Sequence, residues 1–83
     1  MYKLFISTRV KRELKKISRS HKEAIVNALM ELKDDPLVGK PLTRELTGKF
    51  SLRVGTYRVI YKINRQDKII YILTAGHRST VYN

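Results

Sequence analysis

The chain has 83 residues, enough for one small domain with a single hydrophobic core. It carries 18 lysines and arginines against seven acids, a net charge of +11, and no cysteine. This composition excludes a disulfide scaffold and a thiol nucleophile, and a 42% apolar content argues against disorder across the chain. The positive charge indicates an anionic partner: nucleic acid first, an acidic protein second and an anionic membrane surface third.

The first half of the chain predicts one strand followed by two helices. Its first residues alternate polar and apolar, and Ser7 or Thr8 can then cap a helix. Ser20 and Glu23 form a capping-box pattern that opens a second helix, which Pro36 ends. Two helices joined so closely predict an antiparallel pair. The buried stripes of the two helices are predicted to comprise Val10, Leu14, Ile17, Ile25, Ala28, Leu29 and Leu32.

A loop and a β-hairpin follow the helices. Residues 36–48 are rich in turn-forming glycines and prolines, and Leu42 and Leu46 are expected to hold this loop against the core. Residues 49–62 alternate with period two on either side of Gly55-Thr56. This dipeptide can form a two-residue turn with glycine at its first central position, so the sequence predicts a hairpin with a defined register.

The last predicted strand runs from Lys68 to about Gly76 and is nearly continuously apolar, which favours a central place in the sheet with both faces covered. The prediction is an α+β fold in one domain over residues 1–83. Its order is β-α-α-β-β-β: an N-terminal strand, an antiparallel helical hairpin and a three-stranded C-terminal antiparallel meander, with the helices on one face of an antiparallel sheet. No apolar stretch has the length of a signal-peptide core or a membrane span, so we expect a soluble protein.

The predicted hairpin opposes like charges. Its register pairs Lys49 with Lys62 and Arg53 with Arg58, so four cations share one face. Like charges directly opposed across two strands destabilise a sheet, and folding gains nothing from the arrangement. We therefore expect this face to bind an external polyanion, with phosphate as the first candidate.

Aromatic and histidine side chains near the basic strands are further candidates. Rings beside cations provide stacking platforms for unpaired bases. Tyr57 and Tyr61 fall on the apolar face of the hairpin and are expected mainly to pack, whereas Tyr82, close to the chain end, is the better functional candidate. His77 and Arg78 follow the last strand, and for His77 a phosphate-facing role and an incidental one are equally open.

The motifs of other catalytic sites, including those of metal-assisted hydrolysis, are absent from the sequence. There is no HExxH, no phosphate-cradling glycine loop, no GxSxG and no plausible pair of carboxylates. Metal-free RNA cleavage needs only three things: activation of the ribose 2′-hydroxyl, stabilisation of the phosphorane and protonation of the 5′-oxygen. Lysine, arginine, histidine and tyrosine can supply all three. We expect no metal, cofactor or small-molecule ligand.

Three segments together resemble the RelE/ParE toxin superfamily. They are Leu46-Thr47-Gly48, the run from Leu52 to Tyr61 (LRVGTYRVIY), and the ending from Gly76 to Tyr82 (GHRSTVY). The resemblance implies the toxin of a type II toxin–antitoxin pair, a cytoplasmic protein neutralised by a cognate antitoxin wrapped around it. RelE-like members cleave mRNA in the ribosomal A site without metal and leave a 2′,3′-cyclic phosphate, whereas ParE-like members inhibit DNA gyrase.

The resemblance also implies site residues by motif position. The first hairpin lysine of RelE-like members falls on Lys49, and a second lysine, proposed in some relatives as the general base, falls on Ser51. Serine is a poor base at neutral pH, so either that role passes to Lys49 or His77 or the activity is weak. The arginine before the turn falls on Arg53, and the arginine after Gly-x-Tyr falls on Arg58. The basic residue after the last strand falls on His77 or Arg78. The terminal tyrosine falls on Tyr82.

Three functional hypotheses follow. The first is a ribosome-dependent mRNA endonuclease, whose partners are the ribosome and mRNA. The second is a ParE-like gyrase inhibitor, which has no need of a general base. The third is a non-toxic family member that only binds RNA, a hypothesis that serine at position 51 keeps open.

Overall fold

The computed structural model describes residues 1–77 of the chain. The predicted order of helices and strands is confirmed, with one short strand and one 3-10 turn added in the loop before the hairpin. No helix in residues 1–77 is long and apolar enough to cross a membrane. The elements are β1 (Lys3–Ile6), α1 (Thr8–Lys15), α2 (Arg19–Asp34), β2 (Lys40–Pro41), a 3-10 turn (Arg44–Leu46), β3 (Lys49–Val54), β4 (Tyr57–Asn64) and β5 (Ile69–His77).

The five strands form one mixed sheet in the order β1-β5-β4-β3-β2. Strands β3, β4 and β5 form the predicted antiparallel meander, and β2 pairs antiparallel with β3, but β1 runs parallel to β5. The expectation of a wholly antiparallel sheet was therefore wrong. Tight turns force antiparallel pairing only between strands that they join, and β1 reaches the sheet through two helices instead.

The helices cover one face of the sheet, and the core lies between them and that face. The prediction placed strand β5 centrally with both faces covered; it is an interior strand, between β1 and β4, and only one of its faces is fully covered. Ile70, Ile72 and Ala75 are buried, whereas Tyr71 and Leu73 are half-buried on the side away from the core. The largest fully buried side chains are Tyr61, Ile25, Leu32, Ile70, Ile72, Val10 and Val59.

The helix starts agree only in part with the predicted caps. Ser7 caps α1 as expected, and its hydroxyl accepts a hydrogen bond from the Val10 amide at 3.2 Å. Helix α2 begins two residues earlier than a Ser20–Glu23 capping box requires, with Ser18 at the N-cap position. The predicted capping box was wrong because the junction between the helices is so short that Ser20 already lies in the first helical turn.

A tyrosine rather than the two leucines fixes the loop before the hairpin. Leu42 and Leu46 are only half-buried and lie outside the core cluster. The hydroxyl of the fully buried Tyr61 instead donates to the Pro36 carbonyl at 2.7 Å and accepts from the Gly39 amide at 3.0 Å. A Cβ atom on Gly39 would collide with this hydroxyl, so the loop approaches the tyrosine as closely as only glycine allows.

Candidate nucleic-acid interface

The β3–β4 hairpin has the register that the sequence predicts. Gly55 takes a φ of +60° in the two-residue turn, a conformation that glycine adopts without the Cβ clash of other residues. Val54 pairs with Tyr57 next to the turn. Further along the strands, Arg53 pairs with Arg58 and Lys49 with Lys62, so the structure brings together the four hairpin cations.

These four cations project from the sheet face opposite the helices, which we call the open face. The apolar hairpin residues, among them Val59 and Tyr61, belong to the core cluster on the other face. Because side chains alternate along a strand, the cations must lie on the open face. Arg53 and Lys62 are exposed there, and Lys49 and Arg58 are half-buried.

A small, buried pair separates the two cation pairs. Ser51 pairs with Ile60 on the open face, and these side chains are only 7% and 6% exposed. Lys49 and Arg53 thus lie on either side of Ser51 along β3, about 13 Å apart at their Cα atoms by strand geometry. The residue that departs from the RelE-like pattern therefore sits at the centre of the cationic surface.

Acidic neighbours do not neutralise the exposed part of this surface. Among residues 1–77, Lys49, Arg53 and Lys62 have no carboxylate within 4 Å, and ion pairs occur instead within α1 and α2. Lys49, Arg53 and Lys62 therefore raise the local positive potential, and lysine and arginine donors suit phosphate oxygens.

An acid that the sequence analysis did not select positions the strand next to the arginines. The carboxylate of Glu13, on α1, accepts hydrogen bonds from the Thr74 hydroxyl at 2.8 Å and from the Ala75 amide at 3.0 Å. These contacts fall beside a β-bulge in β5. Thr74 pairs with Ile60 and Ile72 pairs with Tyr61, so Leu73 is the extra residue on β5. The available signal was that Glu13 is the single acid in a stretch of eight cations, residues 3–22.

Beyond the bulge, β5 places a glycine beside one arginine and a histidine on the other face. Gly76 pairs with Arg58, so no β5 side chain covers the open face there. His77 pairs with Tyr57, and their ring centroids are 5.8 Å apart. Tyr57 also meets the ring of His21, at 5.1 Å, on the helix side. His77 is therefore not brought together with Arg53 and Arg58, which project from the opposite face.

The other two candidate residues, Arg78 and Tyr82, lie outside the described residues.

Tyr61 packs in the core, as expected, and burial raises the pKa of its hydroxyl above the ordinary value for tyrosine. Among residues 1–77 there is no group of three histidine, aspartate or glutamate side chains arranged to hold a metal ion. Within the described residues, the candidate site is thus the open face with Lys49, Arg53, Arg58 and Lys62.

Comparisons with known proteins identify close relatives of this chain. A family model described as the ParE toxin of type II toxin-antitoxin system, parDE, matches residues 4–82. The toxin RelG of Mycobacterium tuberculosis (strain ATCC 25618 / H37Rv) is 41% identical over 83 residues, covering 98% of this chain and 95% of that protein. A chain in the crystal structure of the toxin-antitoxin complex RelBE2 from Mycobacterium tuberculosis is 42% identical, with a TM-score of 0.85 over 93% of this chain and 98% of that one. A chain of the archaeal RelE-RelB complex from Pyrococcus horikoshii OT3 is 26% identical, with a TM-score of 0.78 over 96% and 98%.

Proposed function

This chain belongs to the ParE toxin family of type II toxin–antitoxin systems, and from that premise we propose that it is a metal-independent, ribosome-dependent endoribonuclease that cleaves mRNA in the A site. The observation that carries the proposal is the arginine pair on the open face, Arg53 opposite Arg58, with lysines on the same face. Folding is weakened by this arrangement, whereas binding and cleavage of a phosphodiester use it.

The proposed reaction is a transesterification within the RNA. The ribose 2′-oxygen attacks the adjacent phosphorus, so the P–O2′ bond forms as the P–O5′ bond breaks, and the products are a 2′,3′-cyclic phosphate and a 5′-hydroxyl. Arg58 and Arg53 bind the non-bridging oxygens and stabilise the charge that develops on the phosphorane. Lys49 in its neutral form accepts the proton of the 2′-hydroxyl, and a second group returns a proton to the 5′-oxygen.

Lys49 is preferred to His77 as the base because Lys49 shares the open face with the arginines, whereas the His77 ring faces Tyr57. Arg78 and Tyr82 enter the proposal from the resemblance alone. Arg78 adds positive charge near the phosphate, and Tyr82 stacks on a base or assists proton transfer.

The proposed partners are an antitoxin, the ribosome and mRNA. The solved structures of two relatives, named RelBE2 and RelE-RelB, are toxin–antitoxin complexes, which supports a cognate antitoxin for this chain. An mRNA substrate on the ribosome places the proposed site of action in the cytoplasm.

A gyrase inhibitor is the second candidate, since the matching family model carries the ParE name. That function requires a binding surface and no proton transfer. The two functions predict different first effects in induced cells: cleavage stops translation, and gyrase inhibition stops replication.

The test is primer extension on a reporter mRNA translated with the purified protein. We expect cuts in register with codons, and Arg58→Ala should reduce them about a hundredfold or more, because it removes a donor to the transition-state oxygens. Arg19→Ala, a change at an exposed arginine of α2, should leave the cuts unchanged, and circular dichroism should show that both variants fold.

Two results would contradict the proposal at different levels. Full cleavage by Arg58→Ala would show that the phosphate is bound elsewhere. Intact mRNA with the unaltered protein, together with blocked supercoiling by gyrase, would replace the nuclease with the gyrase inhibitor.

A further inference from the structure

A row of four side chains crosses the open face from β1 to β3. The register pairs Phe5 with Tyr71, Tyr71 with Lys62, and Lys62 with Lys49. Directly paired residues project from the same side of a sheet, so all four belong to the open face. The row therefore reads aromatic, aromatic, cation, cation across four adjacent strands.

The aromatic half of this row is available to a ligand. Phe5 is 56% exposed although it lies in the middle of a strand, and its ring centroid is 5.6 Å from that of Tyr71 at an angle of 54°. The hydrophobic core is on the other face, so this exposed ring adds little to folding. An exposed aromatic pair on a sheet face is a platform on which a flat ring can stack.

Positive charge lies directly against the platform. The Lys62 Nζ atom is 5.4 Å from the centre of the Tyr71 ring, and Lys49 follows in the next strand. Beside them, a surface depression of about 550 Å³ lies at the β4–β5 turn, and its lining includes Tyr71, Arg65 and Gln66. The surroundings of the aromatic pair thus suit an anion attached to a flat ring, which describes a nucleotide.

We propose that Phe5 and Tyr71 stack on an unpaired base of single-stranded RNA while Lys62 binds its phosphate. Lys62 and Arg58 lie on the same strand, about 13 Å apart at their Cα atoms. The stacked nucleotide is therefore a neighbour of the scissile one and holds the strand in register across the arginine pair. The inference rests on the proposed function, since it extends the same RNA path along the open face.

The test uses the absence of tryptophan from the chain. Phe5→Trp introduces a single tryptophan, which can be excited selectively in the presence of the five tyrosines, and titration with a short, 2′-O-methylated single-stranded RNA measures binding without cleavage. We expect stacking to quench the fluorescence. In a competition assay with the same RNA, Phe5→Ala and Phe5→Leu should bind about tenfold more weakly at every salt concentration, and Phe5→Trp should bind as tightly as the unaltered chain.

The charge and the ring are separable in the same assay. Lys62→Gln should lower the slope of log K against log salt concentration by about 0.7, the value for one phosphate contact with a single strand, whereas Phe5→Ala should leave the slope unchanged. Met30→Ala is the matched control, because Met30 is a similarly exposed apolar residue, 51%, on helix α2. It should change neither quantity.

The inference is overturned if Phe5→Ala and Phe5→Leu bind RNA as tightly as the unaltered chain. It is also overturned if Phe5→Ala weakens only the complex with the antitoxin, since the platform then belongs to that partner. Failure of the proposed function gives a different result. If the unaltered protein leaves ribosomal mRNA intact but RNA binding still depends on Phe5 and Lys62, the platform stands and the nuclease does not.

Discussion

Tyr61 connects the core to the loop at the edge of the sheet through one hydroxyl group. Its ring is fully buried and stacks on Phe50 at 5.4 Å, while its hydroxyl bonds to both Pro36 and Gly39. The loop places β2 beside β3, next to Ser51 at the centre of the cationic surface. One buried hydroxyl therefore helps to fix the edge of the candidate site.

Removing this hydroxyl should destabilise the protein. Tyr61→Phe leaves the buried Gly39 amide without its acceptor, and we expect the free energy of unfolding to fall by about 1–3 kcal/mol. Denaturant unfolding measures the loss, with Tyr2→Phe, at a half-buried tyrosine before β1, as the control. An unchanged midpoint would show that water replaces the hydroxyl at no cost.

The same variant makes a prediction about pH. Burial raises the pKa of Tyr61 in the folded state, so ionisation favours unfolding. Its contribution is fully present below the ordinary tyrosine pKa, about 10, and is lost as pH rises through the higher folded value. Tyr61→Phe lacks this contribution to the loss of stability at alkaline pH. Its free energy of unfolding, measured by denaturant unfolding at a series of pH values, should therefore fall less steeply above about pH 10 than that of the unaltered protein.

At the scale of elements, the β3–β4 hairpin is the part that the sequence predicts in full. Alternation and a Gly55-Thr56 turn determine which side chains oppose one another, and the structure has the same pairs. Both signals are local. The parallel pairing of β1 and the short strand β2 have no such signal, because each depends on residues far away in the chain.

The turn itself can be tested. Gly55→Ala should lower the free energy of unfolding by about 1–2 kcal/mol, because at a positive φ the alanine Cβ lies too close to the following backbone carbonyl. Apart from this local clash, the added Cβ has no atom within 4 Å. Thr56→Ala, at the neighbouring position, should cost less. If both substitutions cost the same in denaturant unfolding, the backbone conformation of Gly55 is not what the turn requires.

At the scale of the whole molecule, the sequence predicts the positions of some candidate residues and not of others. The four candidate cations of the hairpin were found from the sequence because period-two alternation places them on one face. The position of His77 was not, because its direction depends on the register of β5 beyond the bulge at Leu73. Phe5 was missed for a similar reason: only the parallel pairing of β1 brings it beside Tyr71.

The opposed positive charges of the hairpin act against stability, so removing one of them should stabilise the fold and impair the proposed activity. Arg53→Gln removes one of two opposed arginines, and we expect the free energy of unfolding to rise by about 0.2–1 kcal/mol while mRNA cleavage falls. High salt should shrink this difference by screening. Lys11→Gln, at an exposed helix position, changes the net charge equally. An equal gain from both variants would assign the effect to net charge alone.

The parallel pairing of β1 with β5 has a consequence for the order in which the molecule forms. Partners such as Leu4 and Ile70 stand at opposite ends of the chain, so the first strand made must wait for the last. Until then the cationic hairpin lacks β5, the partner of the whole of β4, and has only the two residues of β2 beside β3. The complete open face therefore forms only after the last strand of the sheet has been made.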